Sequence, residues 1–264
     1  MQLDPLTSPP PEEVALPNAP LVCVIAQVRF PSILAIQSPD RMVPFQEAIR
    51  ADYPVLSGEY ANGVVMGTER LVAEKELVAW RFEDINGTWR VSLAKDFVAL
   101  ETSEYTSRGD FLDRLRALLT QVSQHFEPAL AQRVGFRFID RVTGDQLDNI
   151  DHLIRPEMLG IVSSPMFEHV QHALSDVLVT VPGASAQLRA RWGYLPEGVA
   201  ADAGTLEPVP ERSWILDIDM YSLERGEFDV DALIDGLRGF AERLYTVFRW
   251  TVTDEFLRQY GGDL

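Results

Sequence analysis

Arginine recurs at every fourth position of the stretch RVGFRFIDRV, as Arg133, Arg137 and Arg141, and a second pair, Arg189 and Arg191, stands two apart in AQLRARW. Alternate side chains of an extended strand share one face, so each set projects from one side of its strand. Guanidinium forks in a row match the geometry of phosphate and carboxylate groups. Asp217 and Asp219 repeat the two-residue spacing in LDID, and Glu101 holds the matching place in the earlier segment LETSEY. Carboxylates grouped in this way can hold Mg²⁺ beside a phosphate. Arginines and carboxylates together could handle a nucleotide or polyphosphate. Cross-strand ion pairing produces the same pattern with no ligand at all, and one wet face is common in an antiparallel sheet. Spacing alone does not separate these readings, and the pairing reading is the commoner one.

Other candidates are weaker. His169 and His172 stand three apart after Glu168, and two histidines on one helix face can ligate a metal. The zinc-protease pattern needs a spacing of four with a glutamate between, and no third ligand is adjacent. Cys23 is the sole cysteine and lies in an apolar run, the setting of a small buried hydrophobe. The chain has no Gly-x-Ser-x-Gly elbow, phosphate-binding loop or dinucleotide fingerprint.

The elements that must position these residues follow from periodicity. Residues 1–20 contain six prolines and read as an extended leader. The run LVCVIAQVRF predicts a buried strand. Ser38-Pro39-Asp40 opens a helix to about Arg50. Strands are expected at Gly63–Ala73, Glu76–Glu83, Thr88–Ala94 and Phe97–Thr102, with Asn86-Gly87 marking a hairpin. A helix capped by Ser107 or Asp110 runs to about Phe126, its stripe formed by Phe111, Leu115, Leu118, Leu119, Val122 and Phe126. The arginine strand comes next, then short helices at Ile150–Leu159 and Ser164–Leu174. Strands at Val177–Val181 and Ala186–Tyr194, a loop over 196–210, a strand at Ser213–Tyr221 and a helix from Asp229 to Phe248 complete the second part. A last helical stretch ends at Tyr260.

The two long helices align without a gap when Phe126 is set over Phe248. Phe111-Leu112-Asp113-Arg114-Leu115-Arg116 then lies over Leu233-Ile234-Asp235-Gly236-Leu237-Arg238. The expected fold is therefore α+β in two related halves, each an antiparallel sheet covered by a long amphipathic helix. The halves are expected at 21–145 and 146–264, packed as one unit.

The segments VRF (28–30), ALETSEYTSRGDFLDRL (99–115), RVGFRFIDRV (133–142), LDID (216–219) and FRWTVTDEF (248–256) resemble a sporadically distributed family of uncharacterised bacterial proteins of about 250 residues. The resemblance spans most of the chain after residue 20. The family prefers a histidine near the position of Phe240, so any role for that histidine is missing here. The resemblance implies no activity and no site residue.

Composition narrows the function classes. The formal net charge is −17, which opposes the phosphate neutralisation that nucleic-acid binding needs and suits a basic partner. No stretch approaches the length of a membrane span, and the first residues lack the basic start and apolar segment of a signal peptide. A bacterial cytoplasm is the expected location. The leading expectation is a non-catalytic protein-interaction module, acting as a regulator, adaptor or immunity-type factor, with homo-oligomerisation compatible. The alternative is a metal-assisted binder or hydrolase of nucleotide or polyphosphate ligands. It would use Arg133, Arg137, Arg141, Arg189 and Arg191 with Mg²⁺ on Asp217, Asp219 and Glu101.

Overall fold

The computed structural model describes residues 4–66, 71–202 and 204–263, and for 61–66 and 71–76 the backbone only. In chain order the elements are β1 (Leu21–Arg29), α1 (Pro39–Ile49), β2 (Val55–Met66), β3 (Leu71–Glu83), β4 (Trp89–Ala94), β5 (Phe97–Thr102), α2 (Arg108–Phe126), β6 (Leu130–Ala131) and β7 (Arg133–Val142). Three short helices follow, α3 (Gly144–Asp148), α4 (Ile150–Leu153) and α5 (Pro156–Leu159). Then come β8 (Ala173–Thr180), β9 (Ala186–Leu195), β10 (Ser213–Ser222), β11 (Gly226–Glu227), α6 (Val230–Thr251) and α7 (Asp254–Gln259). The protein is α+β, with a large antiparallel sheet and several helices. No helix among the described residues is long and apolar enough to cross a membrane.

The chain divides into two compact units. Unit 1 is Met1–Val24, Gly135–Ser222 and Arg238–Leu264, and unit 2 is Ile25–Val134 and Leu223–Leu237.

In unit 2 the strands run in the order β2-β3-β4-β5-β1. The Asn86-Gly87 turn joins β3 to β4 as expected: Gly87 has φ +71°, and the Asp84 carboxylate accepts the Thr88 and Trp89 N–H groups at 2.7 and 2.9 Å. Ser107 is the cap of α2, its hydroxyl accepting the Asp110 N–H at 3.1 Å. That helix buries Phe111, Leu115, Leu118, Leu119, Val122 and Phe126, the stripe its spacing requires, and Leu112 with them. Phe45 of α1 meets Phe82 and Phe126 with ring centroids 5.6 and 5.5 Å apart. The strand expected at Gly63–Ala73 lies partly outside the described residues. Its described ends belong to two different strands, β2 and β3.

In unit 1 the order is β1-β7-β10-β9-β8. Pro182-Gly183 turns β8 into β9, with Gly183 at φ +73°. The helix expected at Ser164–Leu174 is absent. Phe167–His169 forms one 3₁₀ turn after Pro165, and the chain is already a strand by Ala173. Pairing with β9 overrides the weak helical pattern there. Gly193 makes that pairing possible: its φ is +144°, and a Cβ at this position would stand 2.0 Å from the Ala173 carbonyl oxygen. Residues 4–20 run along the C-terminal helices. Arg243 donates to the Pro5 and Ser8 carbonyls at 2.9 and 2.7 Å, the Val14 N–H donates to the Tyr245 hydroxyl at 2.8 Å, and the Asn18 N–H donates to the Tyr260 carbonyl at 3.3 Å.

Candidate functional site

The arginines and carboxylates that the sequence singles out fall into separate groups. The tightest lies in unit 1 and is built on three neighbouring strands. Strand register sets Asp217 of β10 opposite Arg191 of β9, and Arg137 reaches the same carboxylate from β7. Arg137 grips Asp217 with both arms of its fork, Nε to Oδ1 at 2.7 Å and Nη2 to Oδ2 at 2.8 Å. Arg191 donates to Oδ2 through Nε at 2.9 Å and Nη2 at 2.5 Å. The Asp217 side chain is 4% exposed, and each arginine 16%. Charges this deep persist only when paired and hydrogen-bonded.

A fourth member is one that spacing could not reveal. Asp202, from the loop 196–210, accepts Arg137 Nη2 at 3.0 Å and stands 3.5 Å from Arg191 Nη2. The loop also brings the Ala201 carbonyl to 3.5 Å from Arg191 Nη1. Partial burial works to raise the Asp202 pKa, but the hydrogen bond and charge of Arg137, aided by the Gly204 N–H and Arg191, hold it below the usual carboxylate range. Burial works against the charge of Arg137, and the bonds to Asp217 and Asp202 outweigh it, raising its pKa. Only an Asp-Ala-Gly run in an otherwise featureless loop marked Asp202, and no periodicity ties it to the arginines.

The other candidates are elsewhere. Arg189 pairs with Asp176 of β8, Nε to Oδ1 at 2.9 Å, and both side chains are about half exposed. The Arg189 bond lowers the Asp176 pKa. Arg133 lies in unit 2, its Nη1 3.3 Å from Gln27 Oε1. Arg141 keeps Nε and Nη2 buried without a hydrogen-bond partner among the described residues, and desolvation lowers its pKa. Asp219 faces Arg189 in the strand register. Glu101 belongs to unit 2, opposite Arg90 in register, and accepts Arg90 Nη1 at 2.7 Å while Arg90 Nε donates to Glu83 at 2.7 Å. His169 and His172 are exposed and do not share a helix.

Chemically, the Arg137–Arg191–Asp217–Asp202 cluster is a closed clasp. The forks that would grip a phosphate already grip carboxylates. Asp217, one of the two aspartates expected to hold a cation, is saturated by four guanidinium bonds.

The open surface of unit 1 is of a different kind. β8 is the last strand of the order and bonds to β9 alone within the sheet. Six of its eight residues are exposed, among them Leu174, Val177 and Leu178. Ile161 and Met166, also exposed, precede it in the chain. Comparison with family models and with curated proteins finds no match to this chain.

Proposed function

We propose that this chain is a non-catalytic protein-interaction module that takes an extended segment of a partner protein as an added strand along β8. One observation carries the reading: β8 is a terminal strand with apolar side chains exposed on both faces. Proteins usually blunt such an edge with lysine, proline, a bulge or an inward charge. β8 has no lysine or proline and runs in unbroken register with β9. Its one charge, Asp176, is neutralised by Arg189. Main-chain bonds would supply affinity and the apolar side chains would supply selectivity. With a net charge of −17, a basic segment is the favoured occupant. The setting we infer is a bacterial cytoplasm, in keeping with the resemblance to the sporadic family, with the chain acting as a regulator, adaptor or immunity-type factor.

The test is selection from a displayed library of short random peptides on the wild-type protein and on Leu174→Lys/Leu178→Lys. Alternating apolar and basic peptides that bind the wild type and lose at least about tenfold on the variant, with its Tm unchanged, support the reading. Peptides that bind both equally, or none at all, remove it. The nucleotide alternative predicts a Tm rise with Mg²⁺ and nucleoside triphosphate. That ligand would have to displace Asp202 from the clasp.

We also read the chain as two related halves. The element order β1-α1-β3-β4-β5-α2 recurs as β7-(α3, α4, α5)-β8-β9-β10-α6, with β2 as an addition to the first copy. A cross-strand row recurs with it. Arg90 of β4 stands between Glu83 of β3 and Glu101 of β5, and Arg191 of β9 stands between Asp176 of β8 and Asp217 of β10. The recurrence of an acid–arginine–acid row on corresponding strands supports this reading. On this reading α2 and α6 are equivalent sheet-covering helices, and the second copy begins at β7.

A further inference from the structure

Nε and Nη2 of Arg141, near the end of β7, and Oγ of Ser213, the first residue of β10, are buried and have no hydrogen-bond partner among the described residues. Strand geometry places them together. β7 and β10 are neighbours in the sheet, and the two-pronged grip of Arg137 on Asp217 fixes which residues stand abreast. The two strands run antiparallel. Burial raises the Tyr194 pKa, and the nearby charge of Asp148 adds to it. Asp148 ends α3, the helix that follows β7, and Tyr194 is paired with Trp214 at the start of β10. The end of β7 therefore lies beside the start of β10. Four residues on from Arg137 stands Arg141, and four back from Asp217 stands Ser213. Both steps are even, so both side chains return to the face that carries the clasp, on adjacent strands.

The unmet groups have a definite shape. Nε and Nη2 form the edge of a guanidinium that grips two oxygens at once. Arg137 and Arg191 both hold Asp217 with that edge, and Arg141 turns the same edge into the interior. Ser213 is 1% exposed, and its hydroxyl adds a further donor. Charge points the same way. In the clasp two arginines balance Asp217 and Asp202, which leaves no carboxylate there for Arg141. Burial lowers the Arg141 pKa, with no acid among the described residues to offset it. A buried cation without a counter-charge is costly. Water at this edge would meet the hydrogen bonds but not the charge, whereas an oxyanion meets both. The Arg141 residue as a whole is only half-buried, which leaves a small ion a path along its side chain.

We infer that the inner edge of Arg141 and the hydroxyl of Ser213 form a binding site for one oxyanion, a carboxylate or phosphate group, beside the clasp. The fork takes two of its oxygens and the hydroxyl donates to one of them. The site needs no metal. The chain leaves β9 after Leu195, the register partner of Ser213, and re-enters the sheet at Ser213, so both ends of the 196–210 loop border the site. The inference goes beyond the strand-addition reading and makes no use of β8.

Arginine Nε–H resonances of the whole protein test it, titrated with phosphate and separately with acetate, each against chloride at equal ionic strength. The Arg141 resonance should shift and saturate, while that of the exposed Arg50 does not saturate. Saturation by either anion supports the site, and the anion that binds more tightly assigns it to phosphate or to carboxylate. Tm should rise by about 2–4 °C once that anion exceeds its dissociation constant several-fold. Ser213→Ala should weaken binding at least about threefold. Arg141→Lys keeps the charge but loses the edge, and should weaken binding more than about tenfold. Absence of a saturable shift with both anions overturns the inference. So does a Tm rise of equal size in the wild type and both variants, which is general stabilisation by salt. If Arg141→Lys does not fold, the wild-type titration and Ser213→Ala decide by the same criteria.

Discussion

The row Glu83–Arg90–Glu101 in unit 2 and the row Asp176–Arg191–Asp217 in unit 1 share one cross-strand arrangement but differ in their surroundings. In unit 2 the arginine bonds an acid on each side, and all three side chains remain a quarter to a third exposed. In unit 1 Arg189 draws Asp176 away, Arg137 adds a second fork to Asp217, and a loop lays Asp202 over both arginines. Asp217 is left nearly inaccessible. The same residue types therefore give a solvated ladder in one unit and a sealed clasp in the other. What a charged residue does is set by how many partners reach it and how much water remains, not by its spacing along a strand.

Removing the shared carboxylate is the strongest way to break that comparison. Asp217→Ala leaves Arg137 and Arg191 half of their partners and should cost about 3–5 kcal/mol in urea unfolding, the range for an uncompensated buried charge. A loss under about 1 kcal/mol would mean that water reaches the clasp. Next in size is Gly193→Ala. Its new Cβ collides with the Ala173 carbonyl, so the start of β8 must shift, and the cost should be about 1–3 kcal/mol, with faster amide exchange in Ala173–Leu174. Glu101→Gln, the counterpart of the first change in unit 2, should cost no more than about 1 kcal/mol. Equal costs at Asp217 and Glu101 would erase the distinction between the two rows.

The smallest effects concern pH and carry opposite signs. Asp202 has a lowered pKa, so its contribution is present above the ordinary aspartate range and lost as pH falls through its folded value. Asp202→Asn should flatten the acid limb of the stability curve. Glu101 has a raised pKa, because burial outweighs the charges of Arg90 and Arg81. Its contribution is present below the ordinary glutamate range and lost as pH rises through the folded value. Glu101→Gln should remove a small decline in the weakly acidic range, seen as a change of slope in urea midpoints measured against pH.

Much of this architecture was legible from residue pattern. The α2 stripe, the Ser107 cap, the Asn86-Gly87 turn and the arginine face of β7 all follow from local periodicity and turn chemistry. The residues for which local and long-range preferences conflict were not legible. Ser164–Leu174 has a helical pattern, but Pro165 and pairing of β8 with β9 decide its fate. The clasp was half readable. Arg137, Arg191 and Asp217 announce themselves by alternation, whereas Asp202 comes from a loop whose path no period encodes. A strand at Val177–Val181 was legible but its open edge was not, because Leu174, Val177 and Leu178 are ordinary core residues unless their strand is the last in the sheet.

The claim on which the functional reading rests is that binding occurs at the open edge and not at the clasp. Hydrogen exchange on the wild-type protein, with and without the tightest peptide from the displayed library, tests it most directly. The account predicts protection gained over Ala173–Thr180 and none over Ser213–Ser222. Protection gained over β10 and the 196–210 loop, with β8 unchanged, would contradict it.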